Sequence, residues 1–308
     1  MLAIVLTVIV AVAAGVAVER RDNALAHILR TRVLQAMLWV LVPFVAYVNL
    51  ARAHISVDAG VAIAVAGVAI VLAGVLSWRI ALGPLRLPRP TTGAAIVSTL
   101  QANTAYLGLP LCAALFTEAE LAQAVAYDAL ISLPLLVIGS FSVGAVFGTE
   151  GDAGVRARVR VLLRNPVLLA VAAGLLVPDA WAPESLVTPS HIAIYALLPL
   201  GFFAVGVTLG DEAKDGALRV PPPLTPPVAV VVVLRMAFAP AALALLGLLV
   251  LDVPAPFYLL AAMPVGVNTI VVAHATGLDL RLPAAAIAWS TTIALGGVAL
   301  LALTGVLG

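Results

Sequence analysis

Charge is scarce in this chain. Lys, Arg, Asp and Glu make up 10% of its 308 residues, against about a quarter in soluble globular domains. Hydrophobic residues make up 63%, and the mean hydropathy is +1.18. So little polar material cannot cover a water-soluble fold of this size, and a membrane protein is expected. Neither sign dominates: 16 basic residues stand against 15 acidic. Without a basic stripe or tail to meet phosphates, nucleic acid is excluded as a main partner. Cysteine occurs once, at Cys112, which excludes an intrachain disulfide and a thiolate metal cluster. Cys112 itself reads as a small core residue. No His/Glu motif has zinc spacing, so neither a metal nor a cofactor is expected beyond a coupling ion, H+ or Na+.

What is present is uncharged length. Residues 1–18, 33–51, 59–78, 90–117, 129–149, 185–210, 253–278 and 282–308 carry no charge, and about 20 apolar residues span a bilayer as a helix. The first run has no basic residues before it, so it reads as a helix and not as a cleaved signal. Adding runs broken by a single charge gives ten spans: Leu2–Val18, Val33–Leu50, Asp58–Trp78, Thr92–Phe116, Leu121–Phe147, Pro166–Trp181, Leu186–Leu209, Pro226–Val250, Phe257–Gly277 and Pro283–Leu307. Fourteen of the basic residues fall in odd-numbered loops, among them Arg20, Arg86, Arg158, Lys214 and Arg281, whereas Arg52 alone falls in an even one. Cytoplasmic loops retain Lys and Arg. The expectation is a multi-pass protein of the cell (inner) membrane with both termini outside.

The two halves, 1–150 and 151–308, resemble each other at a nearly fixed offset. The string AVAAG occurs at Ala11–Gly15 and Ala170–Gly174, 159 residues apart. Trp39, Leu41 and Pro43 match Tyr195, Leu197 and Pro199; Asn103-Thr104 matches Asn268-Thr269; Tyr127-Asp128 matches Trp289-Ser290. A repeat unit of five spans enters the membrane from opposite sides in its two copies, as in secondary transporters. Pro43 and Pro199 read as matched kinks beside a central cavity.

Two spans carry breaking signals. The fourth reads Ser98-Thr99-Leu100-Gln101-Ala102-Asn103-Thr104-Ala105-Tyr106-Leu107-Gly108-Leu109-Pro110, a polar density that hydrocarbon does not tolerate. The ninth reads Pro264-Val265-Gly266-Val267-Asn268-Thr269. Proline lacks a donor and glycine weakens the helix, so both spans are expected to break near mid-membrane. Broken helices offer N-terminal amides to an anion, and side-chain amides complete its shell. Asn103, Thr104, Gly108, Pro110, Pro264, Asn268 and Thr269 are therefore the candidate substrate-binding residues. Asp128 lies seven residues into the fifth span, about 10 Å deep at 1.5 Å per residue. It reads as a proton-coupling group or cation ligand, or else as a carboxylate near the interface satisfied by hydroxyls or water. Arg235, mid-way along the eighth span, suits a carboxylate, supplied by the substrate or by Asp128. His274, six residues past the ninth-span break, reads as a packed neutral histidine or a proton relay. The run Pro221-Pro222-Pro223 with Pro226-Pro227 is a stiff connector.

Several of these segments resemble the auxin efflux carrier family. Asn103-Thr104-Ala105-Tyr106-Leu107-Gly108-Leu109-Pro110, followed by Phe116, resembles the NxGflGlP signature of that family's fourth helix. Ala261-Ala262-Met263-Pro264, running on to Ala273, Gly277 and Ser290, resembles its ninth and tenth helices, and Asn165-Pro166 its entry to helix six. Thr104-Ala105 stands where the family often has a glycine, and the long cytoplasmic loop of plant members is absent. The resemblance implies the fold of bile acid/sodium symporter relatives: an all-α polytopic membrane protein whose helices four and nine cross at their breaks in a transport domain beside a scaffold domain. It further implies elevator-type transport of a small organic anion, such as malonate, malate or an auxin-like acid, and a possible homodimer through the scaffold.

Two other classes compete. Tyr127-Asp128 is half of an intramembrane aspartyl protease signature, but the only later partner in helical context, Asp279, follows Gly277-Leu278 at a helix end, and no catalytic residues are expected. A channel or a non-transporting receptor of the same fold is the other alternative.

Overall fold

The computed structural model describes residues 2–52, 57–149, 163–214, 222–250 and 253–303, together with Arg156 and Arg160. Readings that fall on Arg158 and Pro221 lie outside the described residues. All regular structure among the described residues is helical. The helices are α1 (Leu2–Arg21), α2 (Asn23–Ala51), α3 (Val57–Leu82), α4 (Arg89–Leu100), α5 (Thr104–Leu115) and α6 (Glu118–Phe147). They continue with α7 (Pro166–Leu176), α8 (Val187–Lys214), α9 (Pro226–Leu248), α10 (Ala255–Ala261), α11 (Asn268–Thr276) and α12 (Arg281–Leu303). Among the described residues, seven segments are long and apolar enough to cross a membrane, falling at α1, α2, α3, α6, α8, α9 and α12, and α5 and α7 are shorter apolar helices.

Several ends differ from the hydropathy reading because helices continue into the polar interface. The second helix starts ten residues early, at Asn23, where the Asp22 carboxylate caps it by accepting from Leu25 N. The fifth starts at Glu118 through a reciprocal cap between Thr117 and Glu120. The sixth stops at Leu176, short of the expected Trp181, because Val177 turns extended before Pro178. Gly277 ends α11 with φ 67°, a left-handed conformation that glycine adopts without a Cβ clash.

Glycines set the closest packing. A Cβ on Gly15 of α1 meets main-chain atoms of Phe203 and Val207 in α8, and one on Gly206 meets the Val12 carbonyl. A Cβ on Gly174 of α7 meets Tyr47 O at 2.9 Å and Ala51 N at 3.2 Å in α2. Small residues allow such backbone approach in lipid, where packing has to replace the hydrophobic effect. The two AVAAG glycines thus do the same work: the first helix of each half lies against the second helix of the other.

Among the described residues, four helices carry π-helical stretches: Met37–Leu41, Thr104–Gly108, Asp128–Ser132 with Leu135–Ser140, and Leu234–Phe238. Pro43, Pro110, Pro134 and Pro240 each stand two residues beyond the end of one. Proline has no N–H for the carbonyl four residues back and its ring crowds that oxygen. That carbonyl belongs to Trp39, Tyr106, Leu130 or Met236, in the middle of each widened turn. Pro199, expected as the mate of Pro43, lies inside α8 without one.

Candidate functional site

Both expected breaks are present, and they meet. Between α4 and α5 the chain is non-helical at Gln101–Asn103, and between α10 and α11 it is non-helical through Val267. Ala102 and Val265 form an isolated antiparallel bridge. Asn103 N donates to Pro264 O at 2.8 Å and Gly266 N to Gln101 O at 2.9 Å. Each break thereby supplies the hydrogen bonds that the other lost, which an apolar interior requires. Gly266 is needed here, since a Cβ on it meets Ala102 O at 2.7 Å.

A cavity of about 310 Å³ lies against this bridge, lined on its polar side by Gln101, Asn103, Thr104, Asp128, Asn165 and Asn268. Its apolar wall comes from α2 and α6, including Leu34, Met37, Val42 and Leu136. Asn103 is 4% exposed, and its side-chain amide has no protein partner among the described residues, although buried polar groups are nearly always paired. Asn268, half-buried, also keeps its amide free. The first-turn N–H groups of α5 have no intrahelical acceptor, whereas at the start of α11 Thr269 N and Ile270 N donate to Gly266 O and Val267 O. Thr104 and Asn268 open those turns and line the cavity.

Asp128 is the one carboxylate on this wall. The Thr104 hydroxyl donates to its Oδ1 and lies 3.1 Å from Ser132 Oγ. Gln101 Nε2 donates to Ser140 Oγ at 3.0 Å. No Lys, Arg or His lines the cavity among the described residues.

Other expected site residues lie elsewhere. Arg235 is fully buried at 0% exposure and neither lines the cavity nor pairs with Asp128; its donors reach main-chain carbonyls of Thr99, Leu260, Ala261 and Met263. Two helix ends already fill its fork, so no carboxylate is required there. His274 is exposed and off the cavity wall, because it lies past the second break on another face of α11. Pro264 contributes its carbonyl to the bridge, and the Thr269 hydroxyl donates to Gly266 O at 2.8 Å. Gly108 and Pro110 are buried in packing; a Cβ on Gly108 meets Leu260 Cδ2 at 2.6 Å. Asp279 accepts from Thr91 and from Arg281 N, facing away from any aspartyl dyad. Gln101, Ser132, Asn165 and Tyr106 belong to the cavity wall and were not expected there. Ser132 had a signal, one turn after Asp128 on the same helix.

A second cavity of about 360 Å³ is lined by Asn49, Arg52, Glu118, Gln123, Ser190 and His191. Phe257 lines it too, and Tyr127 packs edge-on against Phe257 at 5.2 Å between ring centroids. Ala126 borders this cavity and Asp128 the first.

Compared with known proteins, the chain matches no family model and no curated protein.

Proposed function

We propose that the protein is a secondary transporter of a small organic anion, a carboxylate of the malonate, malate or auxin-like kind, working as an elevator related to the auxin efflux carriers. The observation that carries this reading is the bonded crossing of two broken helices beside a cavity holding the unpartnered amides of Asn103 and Asn268. Two amides and the free first-turn N–H groups of α5 make a neutral donor shell for a carboxylate. No cationic side chain lines that shell, so the anion and an ionised Asp128 repel each other across a small cavity. The anion binds when Asp128 carries a proton, which makes Asp128 the coupling group and H+ the coupling ion.

The architecture in this reading is ten spans in two inverted five-helix repeats, with α4/α5 and α10/α11 each counted as one interrupted span. The crossed packing of α1 on α8 and of α7 on α2, through glycines matched in the repeat, supports it. Side-chain contacts between loops support the sidedness. Near the first and seventh loops, His27 pairs with Asp211 at 3.3 Å and Asn23 donates to Asp211. The third, fifth and ninth meet through Thr91 with Asp279 and Thr149 with the Gly277 carbonyl. The second and sixth meet through Arg52 and the Ala182 carbonyl. Odd loops thus associate with odd and even with even. With the basic odd loops cytoplasmic, both termini face outward, the Asp128 cavity lies toward the cytoplasm and the Arg52 cavity lies outside.

The test is counterflow uptake in proteoliposomes, with a thermal-shift screen of dicarboxylates, indole acids and bile acids to choose the substrate. Asn103→Ala and Asn268→Ala each abolish saturable binding while the protein still folds; unchanged affinity in both variants defeats the assignment. Cysteines at Arg20, Arg86 and Arg281 in a Cys112→Ala background resist an impermeant reagent applied outside, whereas one at Arg52 is labelled.

A further inference from the structure

Arg235 has an environment that ordinary ion pairing does not explain. It lies in the π-helical stretch of α9 with no exposure, and no carboxylate pairs with it among the described residues. Its Nε donates to Met263 O at 3.2 Å, and its terminal nitrogens donate to Ala261 O at 2.6 Å, Thr99 O at 3.4 Å and Leu260 O at 3.5 Å. Thr99 is in the last turn of α4, Leu260 and Ala261 are in the last turn of α10, and Met263 is in the break that follows. One guanidinium therefore bridges the carbonyl ends of both helices that stop at the crossing.

The last four carbonyls of a helix have no intrahelical donor, and a helix C-terminus carries the equivalent of about half a negative charge. Two such ends converging in an apolar interior amount to about one negative charge, which one fixed guanidinium balances. Unwound carbonyls and half-helix C-termini are also the groups with which transporters of this general architecture hold a coupling cation. In this chain that set is already occupied, by a side chain.

We propose that Arg235 is the resident cation of the crossing: it fills, among the converging carbonyls of α4 and α10, the place a coupling metal cation takes elsewhere, and so fixes where both broken segments end. It is a positioning residue, since it does not touch the cavity. The further consequence, that sodium does not drive the protein, rests on the transport reading above; the charge-balance statement does not.

The experiment is a melting series in detergent on the wild type, Arg235→Ala and Arg235→Lys, with methylguanidinium, methylammonium or Na+ exchanged for choline at constant ionic strength. Arg235→Ala is expected to melt about 10 °C lower and to regain at least half of that loss in millimolar methylguanidinium, with no gain from methylammonium. Arg235→Lys melts between the two, because a point charge cannot span four carbonyls. The wild type does not respond to Na+. Wild-type melting of Arg235→Ala, or a loss that methylguanidinium does not reverse, overturns the proposal. If Arg235→Ala does not fold, the other two proteins decide: a wild type stabilised by Na+, or Arg235→Lys melting with the wild type, overturns it. Melting does not depend on turnover, so methylguanidinium rescue in a protein that moves no anion would refute the transport reading alone.

Discussion

Both breaks carry an Asn-Thr pair, yet the two threonines do different work. At the first, the Thr104 hydroxyl reaches across to Asp128 at the cavity wall. At the second, the Thr269 hydroxyl turns back to Gly266 O and is fully buried. The mate of Asp128 is Ser290, whose Oγ accepts from Val265 N at 3.1 Å and donates to Ala286 O at 2.6 Å. So Thr104 and Asp128 in the first half hold their polar atoms at the cavity wall, where Asn268 joins them, while Thr269 and Ser290 in the second half bond to backbone. A carboxylate in both copies would bring two negative charges to the crossing.

The largest expected effect tests that division directly. Asp128→Asn is expected to lower carboxylate uptake about 100-fold and to flatten its pH dependence, measured in proteoliposomes under an imposed proton gradient. In the wild type, binding falls as pH rises, because losing the proton from Asp128 returns a negative charge to the cavity. Retained pH-dependent uptake in Asp128→Asn would break the comparison on its first side. On the second, Ser290→Ala strands the buried Val265 N–H and lowers stability by about 1–3 kcal/mol, read from melting, with ligand affinity unchanged; weaker binding at wild-type stability would place Ser290 in the site instead. The threonines sharpen the contrast further. Thr104→Val weakens binding about tenfold, equivalent to one lost hydrogen bond, whereas Thr269→Val costs about 1 kcal/mol of stability and shifts affinity less than twofold. Smallest of all, His274→Ala leaves uptake within twofold, since that ring is exposed away from the cavity.

Depth along the chain was legible in the sequence; direction around each helix was not. Gly266 and the Asn-Thr pairs announced both breaks, because backbone without a helix partner has to be built from residues that tolerate it. Asn103, Thr104, Asn268 and Asp128 then followed from polarity at mid-span. Arg235 shows the limit: hydropathy places it in the membrane interior, and charge complementarity argues for an anion, but its partners are main-chain carbonyls from residues 99, 260, 261 and 263, which have no sequence signature. Gly108 and Thr269 belong to the right segments and serve packing and capping, a distinction set by which way each Cβ points. Gln101 went unassigned because its partner, Ser140, lies 39 residues away on α6.

The recurrence of proline two residues beyond a widened turn bears on how such helices are read at all. A π turn takes more residues per revolution than an α turn, so each of these prolines introduces a phase slip, and positions on either side no longer share one helical wheel. Asn103 precedes such a slip and Pro110 follows it; Tyr127 and Leu135 are likewise separated by one. A single 3.6-residue wheel drawn through α2, α5, α6 or α9 therefore misassigns the far half of the helix. The prolines act as angular shims: Pro134 helps to set the azimuth at which Asp128 meets the cavity, and Pro240 that at which Arg235 meets the carbonyls.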